Sequence, residues 1–73
     1  MKYYTLLERD WEGRWCIAAG DYDREVMKYE LEDCAASTGQ PRKNFKIIAT
    51  GDSQGEIDFA VAALNWREKC AHS

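Results

Sequence analysis

The side chains able to do chemistry in this chain are few, and none stands in a catalytic spacing. Two groups of carboxylates lie close in sequence, Asp21/Asp23 and Asp52/Glu56/Asp58, each at the start of a helical pattern. Acids there satisfy free backbone N–H groups and the positive end of the helix dipole, which is their expected use. Cys16, Cys34 and Cys70 are odd in number and lack C-x-x-C spacing, a poor disulfide framework and a poor zinc set. They read as reduced, partly buried thiols. His72 is the single histidine, and without a partner to orient it no acid–base role follows. The G-D-S-Q-G stretch at Gly51–Gly55 lacks the lysine of a phosphate loop and the spacing of a dinucleotide motif. The sequence therefore points away from catalysis, and it implies no metal and no cofactor.

Charge is the next indicator. The chain carries a net charge of −3 over 73 residues. Its acids are concentrated between Asp21 and Asp33, where Asp21, Asp23, Glu25, Glu30, Glu32 and Asp33 face only Arg24 and Lys28. An acidic surface of this kind suits a basic protein partner and repels a phosphate backbone. The one basic cluster, Arg42/Lys43/Lys46 with Phe45 beside it, is the only candidate for touching a nucleic-acid strand.

Five elements must position these groups. Tyr3–Glu8 and Arg14–Ala19 are rich in strand formers, and the polar R-D-W-E-G between them makes a hairpin loop with Trp11 at its tip. Alternation puts Trp15, Ile17 and Ala19 on one side of the second strand, the side assigned to the core. A helix follows over about residues 22–37, capped by Asp21 or Asp23 and stopped at Gly39 before Pro41. Tyr22/Val26/Tyr29 and Met27/Leu31/Cys34 form adjoining apolar sectors, and Glu30 falls between them as a carboxylate at the core margin. Phe45–Thr50 is the third strand, with Phe45, Ile47 and Ala49 on one side and Lys46, Ile48 and Thr50 on the other. The last helix opens on the capping box Ser53-x-x-Glu56. Ile57, Ala60, Val61 and Leu64 make its core stripe, and Phe59, Ala63, Trp66 and Cys70 a second stripe opposite.

The order β-β-α-β-α in 73 residues predicts one small α+β domain spanning the chain. The expected fold is a two-layer sandwich: a three-stranded antiparallel sheet with two helices on one face. Strand order 2-1-3 makes every pairing antiparallel, and order 1-2-3 is the alternative. No run is apolar enough to span a bilayer and the N-terminus lacks a signal-peptide pattern, so a cytoplasmic protein is expected.

G-D-Y-D-R-E at Gly20–Glu25 and T-G-D-S-Q-G-E-I-D-F-A-V-A-A-L-N at Thr50–Asn65, with Y-T-L-L-E-R at Tyr4–Arg9 and G-R-W at Gly13–Trp15, resemble a group of small uncharacterised bacterial and prophage-type proteins. The resemblance covers about residues 3 to 65 and brings no activity with it. Small acidic proteins of mobile elements, anti-CRISPR proteins among them, often bind and block a larger host protein. By that analogy of size and charge, the expected function is a non-enzymatic protein-binding module acting as an inhibitor. Its partner-binding residues are Trp11, Asp23, Glu30, Glu32, Asp33, Phe59 and Trp66. A self-associating homodimer and a weak nucleic-acid binder are the alternatives.

Overall fold

The computed structural model describes residues 2–71, with side chains as far as Glu68. Its elements are β1 (Lys2–Arg9), β2 (Trp15–Asp21), α1 (Arg24–Thr38), a short 3-10 turn (Arg42–Asn44), β3 (Phe45–Gly51) and α2 (Gln54–Ala71). The class is α+β. The sheet has order β2-β1-β3, and β1 pairs antiparallel with both neighbours, as order 2-1-3 requires.

The local signals act as their chemistry dictates. Asp23 caps α1 by accepting a hydrogen bond from the Glu25 N–H, and Gly39 closes that helix at φ 70°, a left-handed conformation that costs glycine little. Ser53 Oγ accepts from the Glu56 N–H at 3.2 Å, which is half of the expected capping box. The Glu56 carboxylate instead lies over Gly51, so closely that a side chain there would collide with it. The two Gly-Asp joints meet in space, because β2 and β3 run parallel: the Tyr22 hydroxyl donates to Asp52 Oδ2 at 3.3 Å.

The placement of the helices corrects the sequence reading. Thr5, Leu6 and Leu7, consecutive residues of the central strand, are all buried, at 1%, 0% and 0% exposure. Successive side chains of a strand point to opposite sides, so both faces of this sheet are covered. On the Leu6 side, Met27 and Phe45 complete the buried cluster, and Leu31, Cys34 and Ala35 of α1 pack against it. On the Leu7 side lie Trp15 and Ile57. There Asn65 and Glu68 of α2 bond to Trp15 and Arg9. One helix therefore covers each face, where both were expected on one. The reason is that β1 and β3 carry apolar residues on both sides, Leu6 and Leu7 in one, Ile47 and Ile48 in the other, and each side needs its own cover.

A second correction concerns β2. Leu6 pairs with Ala19 while Leu7 pairs with Ile17, so Ala18 is an extra residue in the ladder. This bulge turns Ala19 to the α1 side and leaves Trp15 and Ile17 on the α2 side. Simple alternation had placed all three together. Trp15 is buried, and Ile17, on an edge strand, stays exposed.

Candidate functional site

The α2 face of the sheet is organised around Trp15. Its backbone is held by Asn65: the Trp15 N–H donates to Oδ1 at 2.7 Å, and Nδ2 donates to the Trp15 carbonyl at 3.2 Å. The Arg9 guanidinium lies 4.2 Å from the centre of the Trp15 ring, a cation–π contact. Arg9 also meets Glu68 with both terminal nitrogens, Nη1–Oε2 at 2.9 Å and Nη2–Oε1 at 3.1 Å, and donates to the Gly13 carbonyl at 2.6 Å. The Glu68 carboxyl is held below its ordinary range, first by the Trp15 indole and then by Arg9, against the opposing effect of burial. The indole N–H is buried and completes no hydrogen bond of ordinary geometry with the described residues. Its influence on Glu68 is that of a nearby dipole.

Beside this cluster an open groove of about 720 Å³ runs between α2 and the β1–β2 hairpin. Ala62, Asn65 and Trp66 line one wall, and Glu12, Gly13 and Arg14 the other. The hairpin loop is built by Asp10, whose Oδ1 accepts from the N–H groups of Glu12 and Arg14, each at 2.9 Å. Those bonds, Arg14 first, hold the Asp10 carboxyl below its usual range. The ordered loop presents Trp11 to solvent at 92% exposure. On α2, Phe59 is 76% and Trp66 67% exposed. Whether these two are covered by α1 is thereby decided: α1 lies across the sheet and leaves them open. The side chain of Cys70, placed on the same stripe, lies outside the described residues, as does His72.

The acidic residues sit on the other side of the molecule. Glu30 and Asp33 are exposed on α1, Asp23 is occupied as its cap, and Glu32 accepts from Arg42 Nη2 at 2.7 Å. Of the seven residues singled out from sequence, the structure thus places Phe59 and Trp66 on the α2 side, Trp11 at the hairpin tip and the four acids on or at the start of α1. The sheet separates the acids from the two α2 aromatics. The basic cluster is divided too: Arg42 is turned toward Glu32, while Lys46 pairs with Leu7 on the α2 side.

Sequence reasoning missed Tyr29, which it assigned to an apolar sector. Tyr29 is 71% exposed. At about 100° per residue it stands opposite the Met27/Leu31/Cys34 stripe, with Glu25, Glu32 and Asp33 one turn away on either side. Its angular position round the helix, opposite the core stripe, was the available signal. The Arg9/Trp15/Asn65/Glu68 cluster had no such signal, since its members lie about fifty residues apart.

No match is found among known protein families, curated proteins or solved structures. Among the described residues no three His, Cys, Asp or Glu side chains gather as a metal cage, and no helix is long and apolar enough to cross a membrane. The thiols of Cys16 and Cys34 are both free; Cys34 is half-buried as expected, whereas Cys16 is exposed, and both are pushed up from their ordinary range, by partial desolvation and then by nearby carboxylates, Asp10 and Glu30 respectively. Such thiols hold their protons at neutral pH and are weak nucleophiles.

Proposed function

We propose that this protein is a non-enzymatic protein-binding module whose recognition face is the outer side of α1. The observation that carries the reading is Tyr29, an exposed aromatic side chain with Glu25, Glu32 and Asp33 a helical turn away, of which Glu25 and Glu32 are paired with Lys28 and Arg42. A tyrosine loses little conformational freedom on binding and supplies a large contact area, and the surrounding acids steer a basic surface toward it. Glu30 and Asp33 extend the acidic face, and the salt bridges Glu25–Lys28 and Glu32–Arg42 hold its border in place. The partner chemistry that fits is a basic patch on a larger protein or nucleoprotein complex. Blocking such a patch is how a small inhibitor of the mobile-element type, an anti-CRISPR-like protein, would act, an analogy of size and charge.

Affinity capture from host lysate at low and high salt tests this. The proposal expects a partner that is lost at high salt and lost with Tyr29→Ala or Asp33→Lys. Capture unchanged by both substitutions contradicts it.

A further inference from the structure

We propose that the outer edge of β3 pairs antiparallel with the same edge of a second copy of the chain, joining two sheets into one of six strands about a two-fold axis through Ile48. The inference does not rest on the α1 reading, since it uses the backbone edge of the sheet and leaves the outer side of α1 uncovered.

The two edges of the sheet are not alike. β2 is blunted for pairing: the bulge at Ala18 interrupts its ladder, and Asn65 occupies both the N–H and the carbonyl of Trp15. β3 has no such protection. It runs in unbroken register with β1 from Phe45 to Gly51, without a bulge or a proline. Among the described residues its one side-chain-to-backbone hydrogen bond is from Thr50 Oγ1 to the Gly51 carbonyl, 2.7 Å, at the end of the strand. Alternate residues of an edge strand turn N–H and C=O outward, and the groups that match them are those of another extended backbone.

The shape of the molecule gives this edge room. It measures 35 × 31 × 14 Å. Helix, sheet and helix stacked about 10 Å apart do not fit within the short dimension, so that dimension runs across the three strands. The broad faces are therefore the sides that carry the sheet edges. Each can hold the roughly 800 Å² that one partner contributes to a standard interface.

The side chains of β3 name a second copy as the occupant. Ile48 is the middle one of its seven residues. A two-fold axis there pairs the whole strand with itself: Ile48 meets Ile48, Ile47 meets Ala49, Lys46 meets Thr50 and Phe45 meets Gly51 of the other copy. Ile47 and Ile48 are only half-buried in the single chain and point to opposite sides of the sheet, so the pairing covers apolar surface on both. Lys46, the one charge on the strand, meets a threonine and not its own counterpart. An axis at Ile47 or Ala49 also keeps matching sides together, but it leaves part of the strand unpaired. The two central strands would stand about 14 Å apart, three strand spacings, which exceeds the roughly 8–10 Å of close helix packing and keeps the helices on each face from colliding. The result is a closed, self-complementary interface.

Sedimentation equilibrium of the full chain from micromolar to millimolar concentration, with amide hydrogen exchange at both ends of that range, tests the proposal. A monomer–dimer equilibrium is expected, and exchange should slow at high concentration for amides of β3 but not of β2. Positions 46 and 50 lie about 13 Å apart along one strand, too far to pair within a chain. Thr50→Lys sets like charges opposite each other at two symmetric places and should weaken the dimer about fivefold or more, while Thr50→Glu should tighten it by a similar factor. Adding Lys46→Thr to Thr50→Lys should return the affinity close to wild type, a recovery that a change confined to one chain would not give. Thermal melts confirm that each variant folds. Tyr29→Ala and Trp66→Glu should leave the dimer intact. A chain that stays monomeric to millimolar concentration overturns the proposal. So does a dimer whose slowed amides lie in β2, or one equally stable in Thr50→Lys and Thr50→Glu.

Discussion

Asn65 closes both backbone hydrogen bonds of Trp15, accepting from its N–H at 2.7 Å and donating to its carbonyl at 3.2 Å. An α2 side chain thus does for the first residue of β2 what a neighbouring strand would otherwise do. It fixes where the helix crosses the sheet and caps part of an open edge. Asn65→Ala leaves a part-buried amide and carbonyl without these partners. The expected loss is about 1–2 kcal/mol, read from denaturant melts. Trp15 fluorescence should report a loosened environment in the folded variant.

Division of the helices between the two faces makes a separate prediction. Leu7 is fully buried on the α2 side, just as Leu6 is on the α1 side. Leu7→Ala should therefore cost about 2–4 kcal/mol, comparable to Leu6→Ala. With both helices on the Leu6 side, Leu7 would face water and the change would cost little. Equilibrium unfolding of the pair distinguishes the two arrangements. A small domain has little stability in reserve, so both variants are expected to be close to unfolding at ambient temperature.

Much of this architecture is legible in the sequence, and the parts that are not have physical reasons. Asp23, Gly39 and Ser53 announce the helix ends because capping depends only on neighbours within a few residues. Hairpin and crossover geometry leave two strand orders, 2-1-3 and 1-2-3, and the pairing of β1 with β3 selects the first. The bulge at Ala18 is not visible in W-C-I-A-A-G, since it is set by how β2 lies against β1. Alternation alone therefore places Ala19 on the wrong side. The double-sided burial of T-L-L in β1 leaves a trace, a continuous run without polar alternation, but its meaning depends on where a helix fifty residues later comes to rest. For α1, two apolar sectors compete in the sequence, and packing against Leu6 and Phe45 selects Met27 and Leu31 and turns Tyr29 outward. Phe59 and Trp66 were recognisable as surplus to the core. That the sheet separates them from the acids of α1 was not.

Glu68 sets a pH dependence. Its carboxyl titrates below its ordinary value of 4.5 in the folded protein, through the Trp15 indole and then the Arg9 guanidinium. A carboxyl depressed on folding contributes its stability in full above the unfolded value and loses it as pH falls through the folded one. The stability difference between the wild type and Glu68→Gln should therefore be largest at neutral pH and shrink progressively below pH 4.5. Urea melts across that range check it. A difference that is constant with pH would mean that the carboxylate charge is not what Arg9 and Trp15 respond to.

The central claim is that the Tyr29 face of α1 recognises a basic surface. The most direct measurement is quantitative capture from host lysate with wild type, Tyr29→Ala, Asp33→Lys and Trp66→Glu side by side. The account predicts a salt-sensitive partner retained by wild type and Trp66→Glu and lost with both α1 variants. A partner retained by Tyr29→Ala and Asp33→Lys, or lost only with Trp66→Glu, would contradict it.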